Sequence, residues 1–547
     1  MTGRSRPALD FQDHLSALDA AGLLVRVDRP INKDTELHPL MRWQFLGGVP
    51  EDERRAFLFT HVVDSKGRRY DMPVAVGALA ASPRIYAMGM GTQVNEIGPA
   101  WDRAIAHPLP PVLVNHAPCQ EVVIRGEDLT RPGGGLASLP VPISTPGFDS
   151  APYLTATLCI TRDPESRVQN MGMYRAALKA TDRLGVRMVA RPGGAGGYLH
   201  WQKYNALKEP MPIAIVIGAA PIVCFTGPQK LAVDMDEMGV AGALAGEPIS
   251  MVKCMSVDLD VPANAEIVIE GLIDPEWLEP EAPFGESNGY VALEAFNMKM
   301  QVTAITMKRK PVFTAIISQV TPSESSVIKK VAYEPFFLAH LRDQLEVTGI
   351  KRVVMHERLT NLRPVIFLQY AQGTPQIEVW RGLYATANFQ SGCGKIVVAV
   401  SEDIDPQSVD AVLWSLAYRF NPVEDVHVAP YHTSLQGSQY GPKKSDSTLL
   451  IDATQKNPMP PLALPAREYM EHARGLWDEL GLPPLSVTAP WHGYTLGDWD
   501  DTWDVFAARA TRGDWEQSGK ETLARARKGL KPETPVKTVE KNPGGET

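Results

Sequence analysis

The stretch Pro212–Gly218, PIAIVIG, decides the fold class when it is read with Ala265–Ile273, AEIVIEGLI, and Lys299–Met307, KMQVTAITM. Each run is short, rich in β-branched residues and closed by turn residues, which marks strands and not helices. Working outward, LTATLCI (Leu154–Ile160), VRMVA (Val186–Ala190) and PVFTAII (Pro311–Ile317) repeat the pattern. So many strands at close spacing, from about Leu139 to Val320, predict a barrel-like or sandwich central domain. Only a few helices are expected inside it, near His200–Leu207 and Gln229–Leu244. The apolar run Met211–Phe225 contains Pro212, Gly218 and Pro221 and is too short to span a bilayer, so it reads as a buried strand pair.

The flanks differ in character. Phe11–Leu24 has the spacing of an amphipathic helix, and Arg55–Val62 and Met72–Ala78 read as strands. RPGGGLAS (Arg131–Ser138) marks a break. Beyond the central strands, Ser326–Leu345 is predicted helical, with Pro335 forcing a kink or restart. The strands RVVMHERL, PVIFLQY and KIVVAV then alternate with helical patterns; over Asp403–Pro422, Asp405 is the expected cap and Pro406 the first helical residue. The expected fold class is α/β of the α+β kind, with an N-terminal α/β domain over 1–130 and a β-rich domain over 131–325. A linker helix over 326–345, a layered α/β domain over 346–456 and a tail over 457–547 complete the division. Five of the eleven tryptophans (Trp477, Trp491, Trp499, Trp503, Trp515) fall in that tail, so it is expected to bury them on the body or a neighbouring subunit. The last twenty or so residues, rich in Lys, Glu, Pro and Gly, read as disordered.

Composition narrows the function classes. A net charge of −9 argues against nucleic acid as a general partner. The five cysteines (Cys119, Cys159, Cys224, Cys254, Cys393) are scattered and form no CxxC pair, which fits a reducing cytoplasm and no thiolate metal site. The opening MTGRSRPALDFQDHL has no apolar core, so no signal peptide and no membrane partner are expected.

Three clusters hold the candidate chemistry. Glu281 and Glu286 lie in LEPEAPFGESNGY, between Pro280, Pro283 and Gly285; a rigid loop outside any regular period can aim both carboxylates into one cavity, where a pair can divide acid and base work. Two solvated loop glutamates are the ordinary alternative. Asn170 and Arg175, in QNMGMYRAAL, would face opposite sides of a regular strand unless Gly172 supplies a bulge. A fixed guanidinium there can hold a carboxylate; a strand-edge charge is the plainer reading. RPGGAGG (Arg191–Gly197) turns into a helix start near His200 and can cradle a phosphate on backbone N–H groups, although such turns are common.

Taken in order, N-x-G-x-Y-R (Asn170–Arg175), VPANAEIVIEG (Val261–Gly271) and APFGE-x-x-GY (Ala282–Tyr290) resemble the UbiD decarboxylase family. PIAIVIGAAP (Pro212–Pro221), VAGALAGEP (Val240–Pro248) and LLIDAT (Leu449–Thr454) extend the resemblance, which runs from about residue 10 to 456. It implies a central split β-barrel that binds prenylated FMN beside Mn2+ (or another divalent cation) and K+, and a C-terminal α/β domain that oligomerises. It implies Arg175, Glu281 and Glu286 as catalytic residues and Asn170, Met173, Arg175, Arg191, Gly193, Gly194 and Lys395 as cofactor-binding ones. The implied metal ligands are Asn170, a histidine and Glu237. Counting from Asn170 lands on Arg191 where relatives have histidine, so His200 is taken as the third ligand, with an altered site at Arg191 the alternative.

Loss of CO2 from an aryl or vinyl carboxylate leaves electrons that no standard side chain can accept, which is the burden a cofactor takes. By resemblance Glu286 delivers the proton, and Arg175 and Glu281 position it. The expected substrate is an aromatic or unsaturated carboxylic acid; Ser287 and Asn288 suggest a roomy polar pocket, and the tail leaves space for an aryl-CoA thioester of the phthaloyl type. A flavin prenyltransferase would supply the cofactor, and a homo-oligomer, dimer or hexamer, is expected. Two other readings stand beside this one: a metal-dependent hydrolase built on Asn170, His200 and Glu237, and a non-catalytic flavin-binding subunit.

Overall fold

The β-branched runs of the middle region do form strands. The computed structural model describes residues 6–188, 195–229, 231, 235–356, 363–390, 393–432 and 446–457, and in the tail 459, 467–483, 485, 503–528, 531, 534 and 536. Nine strands make one sheet: β1 (Val122–Arg125), β2 (Tyr153–Leu154), β3 (Leu158–Arg162), β4 (Gln169–Gly172), β5 (Ala176–Ala180), β6 (Arg183–Val186), β7 (Met211–Ile217), β8 (Ile267–Glu281) and β9 (Ala295–Met307). Their order is β4-β3-β7-β8-β9-β6-β5-β2, with β1 also on β9, and every pairing is antiparallel. In β7, Ile213 through Ile217 are buried on both faces, which is why the run carries no polar alternation.

Length and irregularity in β8 and β9 position the site. Their register slips between Glu270 and Gly271 and again between Ile273 and Leu278. A Cβ on Gly271 would lie 2.3 Å from the Gln301 carbonyl oxygen, so only glycine lets the strands stay paired there. Past the second slip, β8 runs on along β9 and ends at Glu281, opposite Ala295.

Several expectations need correction. Met211–Phe225 is one strand followed by a short helix, Pro221–Thr226, and not a strand pair. The turn between them is held by Gly218 at φ +70, and Pro221 sits in the first helical turn, where its missing N–H is no loss. The PVFTAII run leaves the central strands: Phe313–Ala315 pairs with Val74–Val76 in an N-terminal sheet that also holds Ala56–Phe59 and Leu24–Val27. The helix Phe11–Ala20 packs on this layer, capped by the Asp10 carboxylate on the Gln12 N–H at 2.8 Å.

Three helices matter below: α1 (Gly196–Leu207), α2 (Glu237–Ala245) and α3 (Glu324–Ala339). Helix α3 starts in a reciprocal Ser323–Ser326 cap, keeps Pro335 inside and ends in a π-turn, His340–Gln344. It leads into a five-stranded sheet with order β10 (Ile350–Met355), β11 (Val365–Tyr370), β12 (Ile396–Ser401), β14 (Asp446–Ala453) and β13 (Val426–His432). The inner pairings β11–β12 and β12–β14 are parallel, and the outer two are antiparallel. Helix Gln376–Asn388 crosses from β11 to β12, and Val409–Arg419 follows β12, capped by Ser408; Asp405 forms the preceding turn instead, its carboxylate accepting the Gln407 N–H at 3.1 Å.

Residues 455–547 form a unit of their own. Helices Asp504–Arg512 and Trp515–Ala524 are tied by Arg509–Glu521 at 2.8 Å, and the Trp477 indole donates to the Pro483 carbonyl at 2.8 Å. Trp491 and Trp499, and most of the last twenty residues, lie outside the described residues. Among the described residues no helix is long and apolar enough to cross a membrane.

Candidate active site

The hairpin β5–β6 sets the first two groups. Ala176 faces Val186, Ala177 faces Gly185, and the register continues one pair further, because the Arg187 N–H donates to the Arg175 carbonyl at 3.1 Å. Directly opposed residues in an antiparallel pair share a face of the sheet, so two guanidinium groups lie side by side. Like charges at that spacing repel unless anions stand between them.

The anions come from the end of β8. Glu281 is its last residue; then Ala282, at φ +81, turns the chain into the two-residue strand Phe284–Gly285. Glu286 follows in a turn closed by its own N–H on the Tyr290 carbonyl at 2.9 Å. Glu281 is thus a strand residue and only Glu286 belongs to a turn, a correction to the single-loop reading. Asn170 and Arg175 likewise sit on no common strand: β4 ends at Gly172 and Arg175 precedes β5, so the proposed bulge is a break between strands.

Arg175 binds Glu281 in a two-pronged fork, Nε to Oε1 at 2.7 Å and Nη2 to Oε2 at 2.9 Å. Its remaining nitrogen, Nη1, donates to Glu286 Oε1 at 2.5 Å. Arg187 Nη1 reaches the same oxygen at 2.6 Å. The side chains grow more exposed outward, from 1% for Glu281 through 10% for Arg175 and 17% for Glu286 to 28% for Arg187. That gradient separates a buried anchor from a pair that solvent or substrate can reach. Burial works against the Arg175 charge, yet the Glu281 and Glu286 carboxylates outweigh it and hold the guanidinium above its usual range.

Aromatic rings wall the group. Phe284 lies 4.5 Å and Tyr153 5.8 Å from the Arg175 guanidinium carbon, and the two rings are 4.2 Å apart. The Tyr153 hydroxyl accepts the Ala282 N–H at 3.2 Å, and burial pushes this phenol up to about 12, so it stays neutral. Asn297 supports Glu281 Oε2 from β9 at 3.4 Å. Arg187, Asn297 and Tyr153 were not singled out from sequence; the hairpin register through Ala176–Val186 is the signal that points to Arg187.

A second cluster forms over β3 and β4. Asn170 faces Thr161, whose hydroxyl lies 2.9 Å from His200 Nδ1 on α1. A Cβ on Gly196 would lie 2.2 Å from the Asn170 amide oxygen, so this glycine lets the helix start close on Asn170. The Gly197 N–H donates to the Tyr174 hydroxyl at 3.2 Å. Glu237, the first residue of α2, accepts from the Met171 N–H at 3.4 Å, and burial pushes its carboxyl up to about 7. Burial lowers the His200 imidazole, which keeps it neutral, and its Nε2 stands 4.0 Å from Asp163.

Asn170 and Glu237 therefore meet around the Met171 peptide, while His200 joins through Thr161. A buried carboxylate held by backbone N–H groups, on the peptide that follows Asn170, fits a hard cation. Among the described residues no three His, Cys, Asp or Glu side chains gather as a metal cluster, and this set depends on the Asn170 amide. Met173 is partly buried against the main core. Lys395 stands before β12 with its ammonium on Asp446 in the C-terminal sheet. Arg191, Gly193 and Gly194 lie outside the described residues.

Comparison with known proteins covers both the central strands and the C-terminal sheet. Residues 112–320 match the UbiD "3-octaprenyl-4-hydroxybenzoate carboxy-lyase Rift-related domain", and 326–453 match the corresponding C-terminal domain. The UbiD-class enzyme HmfF from Pelotomaculum thermopropionicum, solved with FMN, is similar at 28% identity and a TM-score of 0.73, over 87% of this chain and 97% of that one. An evolved dimeric form of HmfF, solved with prFMN, matches at 28% and 0.73 over 86% of this chain and 100% of that one. Vanillic acid decarboxylase from Sedimentibacter hydroxybenzoicus, at 24% identity and a TM-score of 0.72 over 87% and 99%, shares the fold. The chain belongs to the UbiD family of carboxy-lyases.

Proposed function

We propose that the protein is a prenylated-FMN-dependent decarboxylase of an aromatic or otherwise unsaturated carboxylic acid. The observation that carries this reading is the Arg175 fork on buried Glu281, with its third nitrogen on the more exposed Glu286. The bound flavin would supply the electron sink that protein side chains lack. The chain's own groups do the rest. Arg175, walled by Phe284 and fixed by Glu281, holds Glu286 at one place and angle. Glu286 then carries the proton that replaces CO2 and, being partly exposed, exchanges it with solvent between turnovers.

Asn170 and Glu237, with His200 as third ligand, would hold a divalent cation such as Mn2+, with K+ beside it, and so anchor the flavin phosphate by charge. Met173, Arg191, Gly193, Gly194 and Lys395 complete the proposed cofactor contacts. The central region 131–325 would hold the flavin, a flavin prenyltransferase would supply it, and the domain over 346–456 would assemble the homo-oligomer. The substrate we favour is a benzene (di)carboxylate or its aryl-CoA thioester.

The test is co-expression with a flavin prenyltransferase, followed by the visible spectrum, the mass of the released flavin and the metal content. A carboxylic-acid screen that pairs each free acid with its CoA ester identifies the substrate form. Glu286→Gln is expected to keep the flavin while turnover and substrate–CO2 exchange fall by about 10²–10⁴-fold. Wild-type protein that takes up no flavin under conditions that load a relative would remove the proposal, and full turnover in Glu286→Gln would remove Glu286 from it.

A further inference from the structure

We propose that Arg187 is the receptor for the substrate's carboxylate, and that it leaves Glu286 to take that anion. The inference rests on the decarboxylase reading above and adds to it the group that recognises the acid.

The first argument is donor capacity. Arg175 uses Nε, Nη1 and Nη2 on Glu281 and Glu286, and Phe284 and Tyr153 stand over its guanidinium. Its Nε–Nη2 edge is taken by Glu281 and Nη1 is already on Glu286, so each of its three nitrogens is engaged. The Arg187 side chain makes a single hydrogen bond among the described residues, Nη1 to Glu286 Oε1, and is the most exposed of the four side chains. A guanidinium carries five N–H donors in a planar fork that matches a carboxylate. Nε and Nη2 of Arg187 are therefore open for a bidentate anion.

Charge gives the second argument. With both glutamates ionised the two arginines are balanced; once Glu286 takes up the proton it later delivers, Arg187 loses its counter-ion and the group carries one net positive charge for the substrate carboxylate. Glu281 holds Arg175 through two bonds at full burial, while Arg187 is held through one at the outer edge. The outer cation costs least to redirect. CO2 leaves as a neutral molecule, the electron pair left behind takes the Glu286 proton, and the carboxylate so formed draws Arg187 back without any change in the buried pair. Backbone geometry supports this division: the bond from the Arg187 N–H to the Arg175 carbonyl fixes both main chains, so only the Arg187 side chain has to swing.

The experiment uses flavin-loaded full-length protein and two unreactive probes, benzoate and benzamide, titrated against the flavin's visible band. Wild type should prefer benzoate. Arg187→Met should weaken benzoate by about 10–150-fold, the range for a hydrogen bond to a charged group. Benzamide affinity and the flavin-to-protein ratio should stay at the wild-type value, and Arg187→Lys should restore part of the loss. Arg187→Gln, isosteric enough to keep the hairpin, repeats the measurement should the Met variant fold poorly. Benzoate binding within twofold of wild type in these variants overturns the proposal. So does an equal loss of both probes, a flavin ratio that falls with Arg187, or a wild type without preference for benzoate. A wild type that holds no flavin refutes the underlying decarboxylase reading instead, and the two failures are told apart by the spectrum alone.

Discussion

Arg175 commits three nitrogens to two carboxylates, and the two are not equivalent. Glu281 has almost no solvent contact, so its charge is tolerable only while the fork is in place. Arg175→Met should therefore destabilise the fold by about 3–5 kcal/mol, the usual result of leaving a buried charge without its partner. Adding Glu281→Gln to the same chain should return much of that loss without restoring turnover. Urea unfolding of the two singles and the double measures the coupling; additive losses would mean that the pair does not act as a unit. At this scale the sequence was legible where motif order named a residue: Arg175, Glu281 and Glu286 were candidates, and the fold brings them together. It was opaque for Arg187, because nothing in VRMVA marks an arginine whose importance comes from the residue across a hairpin. Cross-strand partners follow from register, and register depends on turn geometry that a run of apolar residues does not reveal.

Secondary-structure elements were legible where pattern alone dictates them. The all-apolar β7, the long helix α3 and the alternation of strand and helix after it all follow from periodicity. What misled was chemistry that two conformations can use equally well. An Asp-Pro pair can open a helix, but at Asp405 it makes a turn, and Ser408 takes the cap with its hydroxyl on the Ala411 N–H at 3.3 Å. A Pro after a strand reads as a break, yet Pro221 begins a helix. The slip in β8 was invisible too, although it delivers Glu281 to Arg175. Gly271 pays for that slip with its missing side chain, so Gly271→Ala should cost about 1–3 kcal/mol by overpacking against the Gln301 carbonyl. Thermal unfolding together with the flavin-to-protein ratio checks it; an unchanged midpoint would show that the strands can part locally without loss.

Across the whole molecule, the site draws on strands far apart in sequence, and the N-terminal layer is tied to it by Phe313–Ala315 returning to Val74–Val76. Loss of that layer should therefore be felt by the whole body, and two buried histidines make it sensitive to acid. Burial lowers the His14 imidazole to about 4 against a hydrogen bond to the Ala78 carbonyl, and lowers His38 to about 3 with help from nearby Arg42. Both rings are neutral in the folded chain, while in the unfolded chain they take up a proton below about 6.5. The unfolded state then binds more protons, so stability is full above about pH 6.5 and falls as the pH drops toward 4 for His14 and 3 for His38. The slope is at most about 1.4 kcal/mol per pH unit for each ring. Both ring nitrogens of His38 lack a partner among the described residues, so His38→Leu gives up no hydrogen bond and removes one titrating group. Near neutral pH this variant should be as stable as wild type or slightly more so, and at about pH 5 its advantage should grow by roughly 1–2 kcal/mol. Urea midpoints of the two chains at about pH 7.5 and about pH 5 decide the matter. A gap that stays constant between those conditions would mean that His38 binds protons alike in the folded and unfolded chains, and would overturn the lowering assigned to burial and Arg42.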